Sequence, residues 1–163
     1  MSICVIIPAS GKGIRYGMPK ADALLESGLS FSQTIVNTCQ SAGLKDIELV
    51  RLADCPDMLS GIQTGISRRP GYSHYLIFPV DHPHVMPQSL ITLCAKATAH
   101  PGKVIRPSYR GKTGHPILIP SSLDLNTDSA VGLAGIIRES GMPIIDIPVD
   151  DPGILRNLNQ PSD

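Results

Sequence analysis

The sequence predicts an α/β domain: a mostly parallel sheet covered by helices on both faces, with a small antiparallel element. Three observations lead there. Short apolar runs alternate with longer stretches of helical periodicity along the chain. The 163 residues suit one domain, spanning 1–163, since about 100–200 residues per domain is usual. Hydrophobic residues make up 42 %, enough for a core and too many for a disordered chain.

The elements follow in order. Residues 2–8 are a β-branched run, suited to a strand buried on both faces. Residues 9–20 are a Gly-rich loop. Residues 30–42 read as a helix, with Phe31, Ile35, Thr38 and Cys39 on one face and Gly43 as its stop. Residues 46–53 are a second strand, and 58–69 a short helix ended by Pro70-Gly71. Residues 75–80 are a strongly apolar strand that runs into Asp81. Residues 87–99 are a helix with Pro87 at its first position, where the missing N–H costs nothing. Residues 103–107 and 116–119 are two short strands joined by a polar loop, and they supply the antiparallel element. Residues 133–140 form a helix closed by Gly141, and 143–149 a last strand before a polar tail.

Composition removes several classes of function. Lys plus Arg and Asp plus Glu are both 14, so the chain lacks the basic excess of a non-specific nucleic-acid binder. No run approaches the ~20 apolar residues that span a bilayer. Residues 4–8 have the look of a signal-peptide core. They lack a basic leader and lead straight into Gly11, Gly13 and Gly17, so they read as a strand. Cys4, Cys39, Cys55 and Cys94 are widely spaced with no C-x-x-C, so neither disulfides nor a metal knot is expected, and a reducing cytoplasm is the expected location. Gly and Pro, 15 each, exceed the ~12 % usual for the pair, which implies many turns.

The first of those turns carries chemistry. It reads Pro8-Ala9-Ser10-Gly11-Lys12-Gly13-Ile14-Arg15-Tyr16-Gly17-Met18-Pro19-Lys20. Glycines let backbone N–H groups approach an anion, and Arg15 and Lys20 add two cations, which suits a triphosphate. The spacing G-x-G-x-x-x-G is not the dinucleotide G-x-G-x-x-G, and Pro19 blocks immediate helix entry, which disfavours an NAD-linked oxidoreductase. No Gly-Lys-Ser/Thr closes a Walker A loop, and Ser10 is not in a G-x-S-x-G elbow. A Gly-rich turn with solvated charges is the plain alternative.

The run Ala9-Ser10-Gly11-x-Gly13-x-Arg15-Tyr16-Gly17-x-Pro19-Lys20 resembles the signature of the MobA-like nucleotidyltransferases, which include molybdopterin cytidylyltransferase and guanylyltransferase. The resemblance continues in order through residues 61–65, 78–87, 106–119 and 151–163. It implies a Rossmann-like three-layer sandwich and transfer of a nucleoside monophosphate from an NTP to a phosphorylated acceptor, with release of pyrophosphate. Ala9, Ser10, Gly11, Gly13, Gly17, Gly61 and Gly65 would bind the nucleotide. Arg15, Lys20 and Asp81 would be catalytic. Asp81 stands in Pro79-Val80-Asp81-His82-Pro83, similar to the P-x-D-x-P block that holds Mg²⁺, a cation that takes one or two carboxylates. Asn159 of the tail would be a second Mg²⁺ ligand through its amide oxygen, with Asn157 a neighbour. His82, Arg110, Lys112 and His115 would face the acceptor, since cations suit phosphate.

Two branches of the family compete. Pro19-Lys20 and Gly114-His115-Pro116 lean towards CTP, Gly61 and Asn157-Leu158-Asn159 towards GTP, and CTP is slightly ahead. The resemblance implies molybdopterin as acceptor, with a sugar phosphate or another small phosphorylated molecule as the alternative. A nucleotide-binding protein of the same fold without catalysis is the other reading, favoured by Gln160 where the family has Thr. The chain is short for the family between residues 46 and 61 and after 163. The expected partners are an NTP and its acceptor, with no nucleic acid and no membrane, and no oligomeric state is implied. His82 and His84 flank Pro83, and a zinc site there would need His115 as third ligand.

Overall fold

The computed structural model describes residues 1–9, 17–51, 55–127 and 131–159. Among these residues seven strands form one sheet: β1 (Ile3–Ala9), β2 (Ile47–Arg51), β3 (His74–Ile77), β4 (Val104–Tyr109), β5 (Lys112–Thr113), β6 (Ile117–Pro120) and β7 (Ile144–Pro148). The helices are α1 (Phe31–Ser41), α2 (Met58–Arg68), α3 (Pro87–Ala99) and α4 (Gly132–Ser140), with 3-10 turns at Lys20–Asp22 and Pro152–Leu155.

β1 lies between β2 and β3, parallel to both. β6 runs antiparallel between β3 and β4, and β7 pairs parallel with β4. β1, β2, β3, β4 and β7 therefore point one way, against β5 and β6. Ser108 of β4 faces Thr113 of β5 on one edge and Pro148 of β7 on the other. Ile105 likewise divides β6 from β7, so β5 and β6 are successive stretches of one returning strand, parted at Gly114-His115-Pro116. The antiparallel element is thus larger than two short strands. β4 extends to Tyr109, and the expected polar loop contains β5.

Alternation along the central strands makes the three layers. From β1, β3 and the residue after β3, Val5, Ile7, Leu76 and Phe78 enter one core with Phe31 and Ile35 of α1 and Leu90 and Leu93 of α3. Cys4, Ile6, Tyr75 and Ile77 enter the other with Leu59 and Ile62 of α2 and Ile136 and Ile137 of α4. α2 approaches β1 closely through two glycines. A Cβ on Gly65 would stand 2.7 Å from Ile6 Cγ2, and one on Gly61 would stand 3.1 Å from Cys55 Sγ and 3.4 Å from Pro8 Cβ.

Local signals set the helix ends. Ser30 accepts from the Gln33 N–H, and Asp57 and Ser60 cap α2 reciprocally. Gly141 ends α4 in the left-handed conformation. All four cysteines are free thiols. Among the described residues, no helix is long and apolar enough to cross a membrane.

Candidate active site

In an open α/β sheet, ligands sit beyond the carboxyl ends of the parallel strands. Here that rim gathers the end of β1, the residues after β3, the start of β6 and the C-terminal segment. The Phe78 N–H still bonds the Ile6 carbonyl at 2.9 Å, so the chain leaves the sheet only at Pro79. His82 N then closes on the Pro79 carbonyl, a tight turn that presents Asp81 at the rim.

Lys20 reaches the same rim from the first loop. Its 3-10 turn is anchored by buried Ala21 and Ala23, by Ser32 Oγ donating to the Ala21 carbonyl at 2.8 Å, and by Arg51 donating from Nη1 to both carboxylate oxygens of Asp22. Lys20 Nζ donates to Asn159 Oδ1 at 2.8 Å and lies 3.6 Å from Asp81 Oδ2. Asn159 is placed by its neighbour, since the Leu158 N–H donates to the Asp81 carbonyl at 2.8 Å. Three residues far apart in sequence thus meet at one point.

Two histidines stand behind the carboxylate. His82, 5 % exposed, donates from Nδ1 to Asp81 Oδ1 at 2.8 Å, and its ring lies 4.8 Å from that of His115. Burial pushes the Asp81 carboxyl up, but the His82 hydrogen bond and the charges of His82 and Lys20 outweigh it, and the net is a lowered pKa. Asp81 is therefore an anion at neutral pH. Burial, with His82 adding to it, pushes His115 down to about 4, so it is an uncharged imidazole at neutral pH. Its Nδ1 is buried with no hydrogen-bond partner. His115 therefore offers hydrogen bonding rather than the charge expected for holding a phosphate.

The remaining expected residues fall as follows. Ala9 ends β1 at the rim, and Gly17 turns with φ +65° just before Lys20. Gly61 lies against Pro8 near the rim, whereas Gly65 is buried lower down, against Ile6 and Val50. Arg110 and Lys112 form the exposed β4–β5 hairpin tip, where Arg110 (φ +49°) stacks over the Tyr109 ring at 5.1 Å. Ser10, Gly11, Gly13, Arg15 and Gln160 lie outside the described residues. Among the described residues, no group of three or more His, Cys, Asp or Glu side chains could hold a metal ion, so His82, His84 and His115 do not form a zinc site. A separate cleft of about 400 Å³, lined in part by Gln63, Tyr75, Ser121 and Leu125, opens where β3 begins and β6 ends.

The donor set does fit a hard divalent cation. Asp81 Oδ2 and Asn159 Oδ1 both turn towards one cationic atom, the Lys20 ammonium. Mg²⁺ needs no more than one or two protein oxygens beside phosphate and water.

One buried carboxylate beside the rim was not singled out by the sequence. Asp151, 1 % exposed, falls in sequence at the start of the tail block that resembles the family, with no role of its own. The Asp-Pro-Gly turn was its one local signal.

The MobA-like NTP transferase domain family matches residues 47–140, more than half of the chain, and the chain belongs to that family of nucleotidyltransferases. Among curated proteins, none matches the chain. Solved structures share the fold. Rv0371c from Mycobacterium tuberculosis H37Rv is 16 % identical with a TM-score of 0.78, over 98 % of this chain and 93 % of that one. A nucleotidyl transferase from Methanothermobacter thermautotrophicus is 20 % identical with a TM-score of 0.77, over 99 % and 94 %. The 2-C-methyl-D-erythritol 4-phosphate cytidylyltransferase of Thermus thermophilus is 12 % identical with a TM-score of 0.73, over 99 % and 95 %. Rv0371c has also been solved in complex with manganese.

Proposed function

We propose that this site transfers a nucleoside monophosphate from an NTP to a small phosphorylated acceptor, molybdopterin by family resemblance, and releases pyrophosphate. The observation that carries the proposal is the meeting of Lys20, Asp81 and Asn159 at the rim, with 2.8 and 3.6 Å contacts to one ammonium. A cation, a carboxylate and an amide oxygen at one point match what moving a nucleotidyl group between phosphates needs.

In the reaction an oxygen of the acceptor phosphate attacks the α-phosphorus. The bond from that phosphorus to the bridging oxygen of the β-phosphate breaks, and the electron pair leaves with pyrophosphate. A phosphate nucleophile is already ionised at pH 7, so no general base is needed. Catalysis then rests on positioning and charge stabilisation. Gly11, Gly13 and Gly17 would cradle the phosphates through backbone N–H groups, with Ala9, Ser10, Gly61 and Gly65 bordering the nucleotide. Arg15 and Lys20 would offset charge growing on the leaving pyrophosphate. Asp81 and Asn159 would hold a divalent cation, Mg²⁺ by resemblance, which supplies charge neutralisation on the phosphates when bound. His82 keeps Asp81 turned to that task by occupying its other oxygen. Neutral His115, with Arg110 and Lys112 on the neighbouring hairpin, would meet the acceptor.

CTP is the favoured donor over GTP, on Pro19-Lys20 and Gly114-His115-Pro116. Titration of the protein with each of the four NTPs tests the reading. CTP or GTP should bind most tightly, and Lys20→Ala should weaken that binding at least tenfold. Equal, weak binding of all four, unchanged in Lys20→Ala, would defeat it.

A further inference from the structure

Asp151 is the one carboxylate among the described residues that is buried, and the reaction outlined above has no use for it. It receives three hydrogen bonds. Oδ2 accepts from the Met86 N–H at 2.8 Å and from Ser89 Oγ at 2.7 Å, and Oδ1 accepts from the Gly153 N–H at 2.8 Å. Met86 and Ser89 belong to the start of α3, where Met86 occupies the cap position and makes no side-chain cap bond of its own. Asp151 thus caps α3 from the far end of the chain, and its negative charge stands at the positive end of a helix dipole.

The same carboxylate holds the segment that follows it. Gly153 is pressed so close to the 82–86 loop that a Cβ would stand 2.1 Å from the His84 carbonyl oxygen. One residue on, the Ile154 carbonyl accepts the His115 N–H at 2.9 Å, and Gly114 backs onto it so tightly that a Cβ would stand 2.2 Å away. Four residues further, Leu158 N–H bonds the Asp81 carbonyl. The loop bearing Asp81 and His82, the loop bearing His115 and the segment bearing Asn159 are therefore interlocked, and Asp151 ties the start of that segment to the start of α3.

We propose that Asp151 is a positioning residue that sets the register of the 151–159 segment against the Asp81 loop and thereby brings Asn159 and His115 to the rim. The metal arm of its test rests on the reading of Asp81 and Asn159 as cation holders, and the exchange arm does not. At 1 % exposure Asp151 cannot touch a substrate and acts only through what it holds.

The test compares the full chain with Asp151→Asn and Ser89→Ala. Asp151→Asn keeps the shape but sets an NH₂ against at least one N–H donor, and Ser89→Ala removes one of the three bonds. Amide hydrogen exchange and Mn²⁺ affinity without nucleotide, by electron paramagnetic resonance, are the readouts. In Asp151→Asn, exchange at Leu158 and His115 should quicken at least tenfold while the sheet amide of Phe78 keeps its protection. Mn²⁺ should bind roughly tenfold more weakly, because the segment that carries Asn159 is no longer held against the Asp81 loop. Ser89→Ala should shift both in the same direction by less, and it decides the matter if Asp151→Asn does not fold. A folded Asp151→Asn with both readouts within twofold of wild type reduces Asp151 to a helix cap and overturns the proposal. Mn²⁺ binding that survives Asp81→Ala refutes the metal reading instead, and exchange at Leu158 and His115 then decides on Asp151 alone.

Discussion

Gly114→Ala probes the packing that joins the His115 loop to the C-terminal segment. The added Cβ would stand 2.2 Å from the Ile154 carbonyl oxygen, 2.7 Å from its carbon and 3.1 Å from Leu155 Cδ2. Real carbon–oxygen contacts need about 3 Å or more, so one segment must retreat by close to 1 Å. The obstacle is backbone, and no rotamer change relieves it. The retreat also stretches the His115 N–H bond to Ile154, now 2.9 Å. Overpacking costs about 1–3 kcal/mol and a lost hydrogen bond about 1 kcal/mol. At roughly 2–4 °C per kcal/mol for a domain of this size, Tm should fall by about 4–16 °C. Gly111→Ala is the control. Gly111 has φ +78° but open space, so only backbone strain of about 1–2 kcal/mol applies. Differential scanning calorimetry of both variants, with pyrophosphate release alongside, reads the outcome. Gly114→Ala should also lose about 10²-fold in kcat, since a 1 Å misplacement reaches the site. A Gly114→Ala protein within 2 °C of wild type and fully active would refute the interlocked arrangement.

Three further outcomes follow from the same geometry. Between pH 6.5 and about 4 the unfolded chain takes up a proton that folded His115 refuses, so stability is present above 6.5 and is lost as pH falls through that window. The loss amounts to about 2–3 kcal/mol by pH 4.5, and His115→Asn should flatten that part of the pH–stability curve; parallel curves for the two proteins would contradict it. Gly65→Ala would drive a methyl to 2.7 Å from Ile6 Cγ2 and should cost about 1–3 kcal/mol in urea unfolding, since α2 cannot retreat without opening its contact with β1. Ser30→Ala removes the acceptor for the Gln33 N–H at the start of α1 and should cost about 1 kcal/mol in the same assay.

What could be read from the sequence was what local physics writes there. α1 was visible from its apolar face, and α2, α3 and α4 from end signals, Pro70-Gly71, Pro87 and Gly141 among them. The buried central strands were visible as apolar runs, because a strand covered on both faces has no polar side to break the run. β5 was missed because two exposed residues, Lys112 and Thr113, carry no apolar signal and owe their strand conformation to pairing with β4. β3 ends earlier than its apolar run because Pro79 leaves the ladder while Phe78 and Val80 stay buried. In the site, Asp81 was legible from its place after an apolar strand, and Lys20 from its Gly-rich loop. Asn159 came from family resemblance alone. The hydrogen bond that unites Lys20 with Asn159 spans 139 residues, and no local pattern encodes it. Asp151 was illegible for the same reason, since its partners Met86 and Ser89 are 65 and 62 residues away.

Asp81, held between His82 and Lys20, is proposed to make this rim a nucleotidyl-transfer site. Pyrophosphate release from CTP and from GTP, with a divalent cation and molybdopterin, tests it directly in wild type and Asp81→Ala. Wild type should turn over one of the two nucleotides, and Asp81→Ala should lose about 10²–10³-fold, the usual effect of removing one preorganised electrostatic partner. Turnover that survives in folded Asp81→Ala would contradict it.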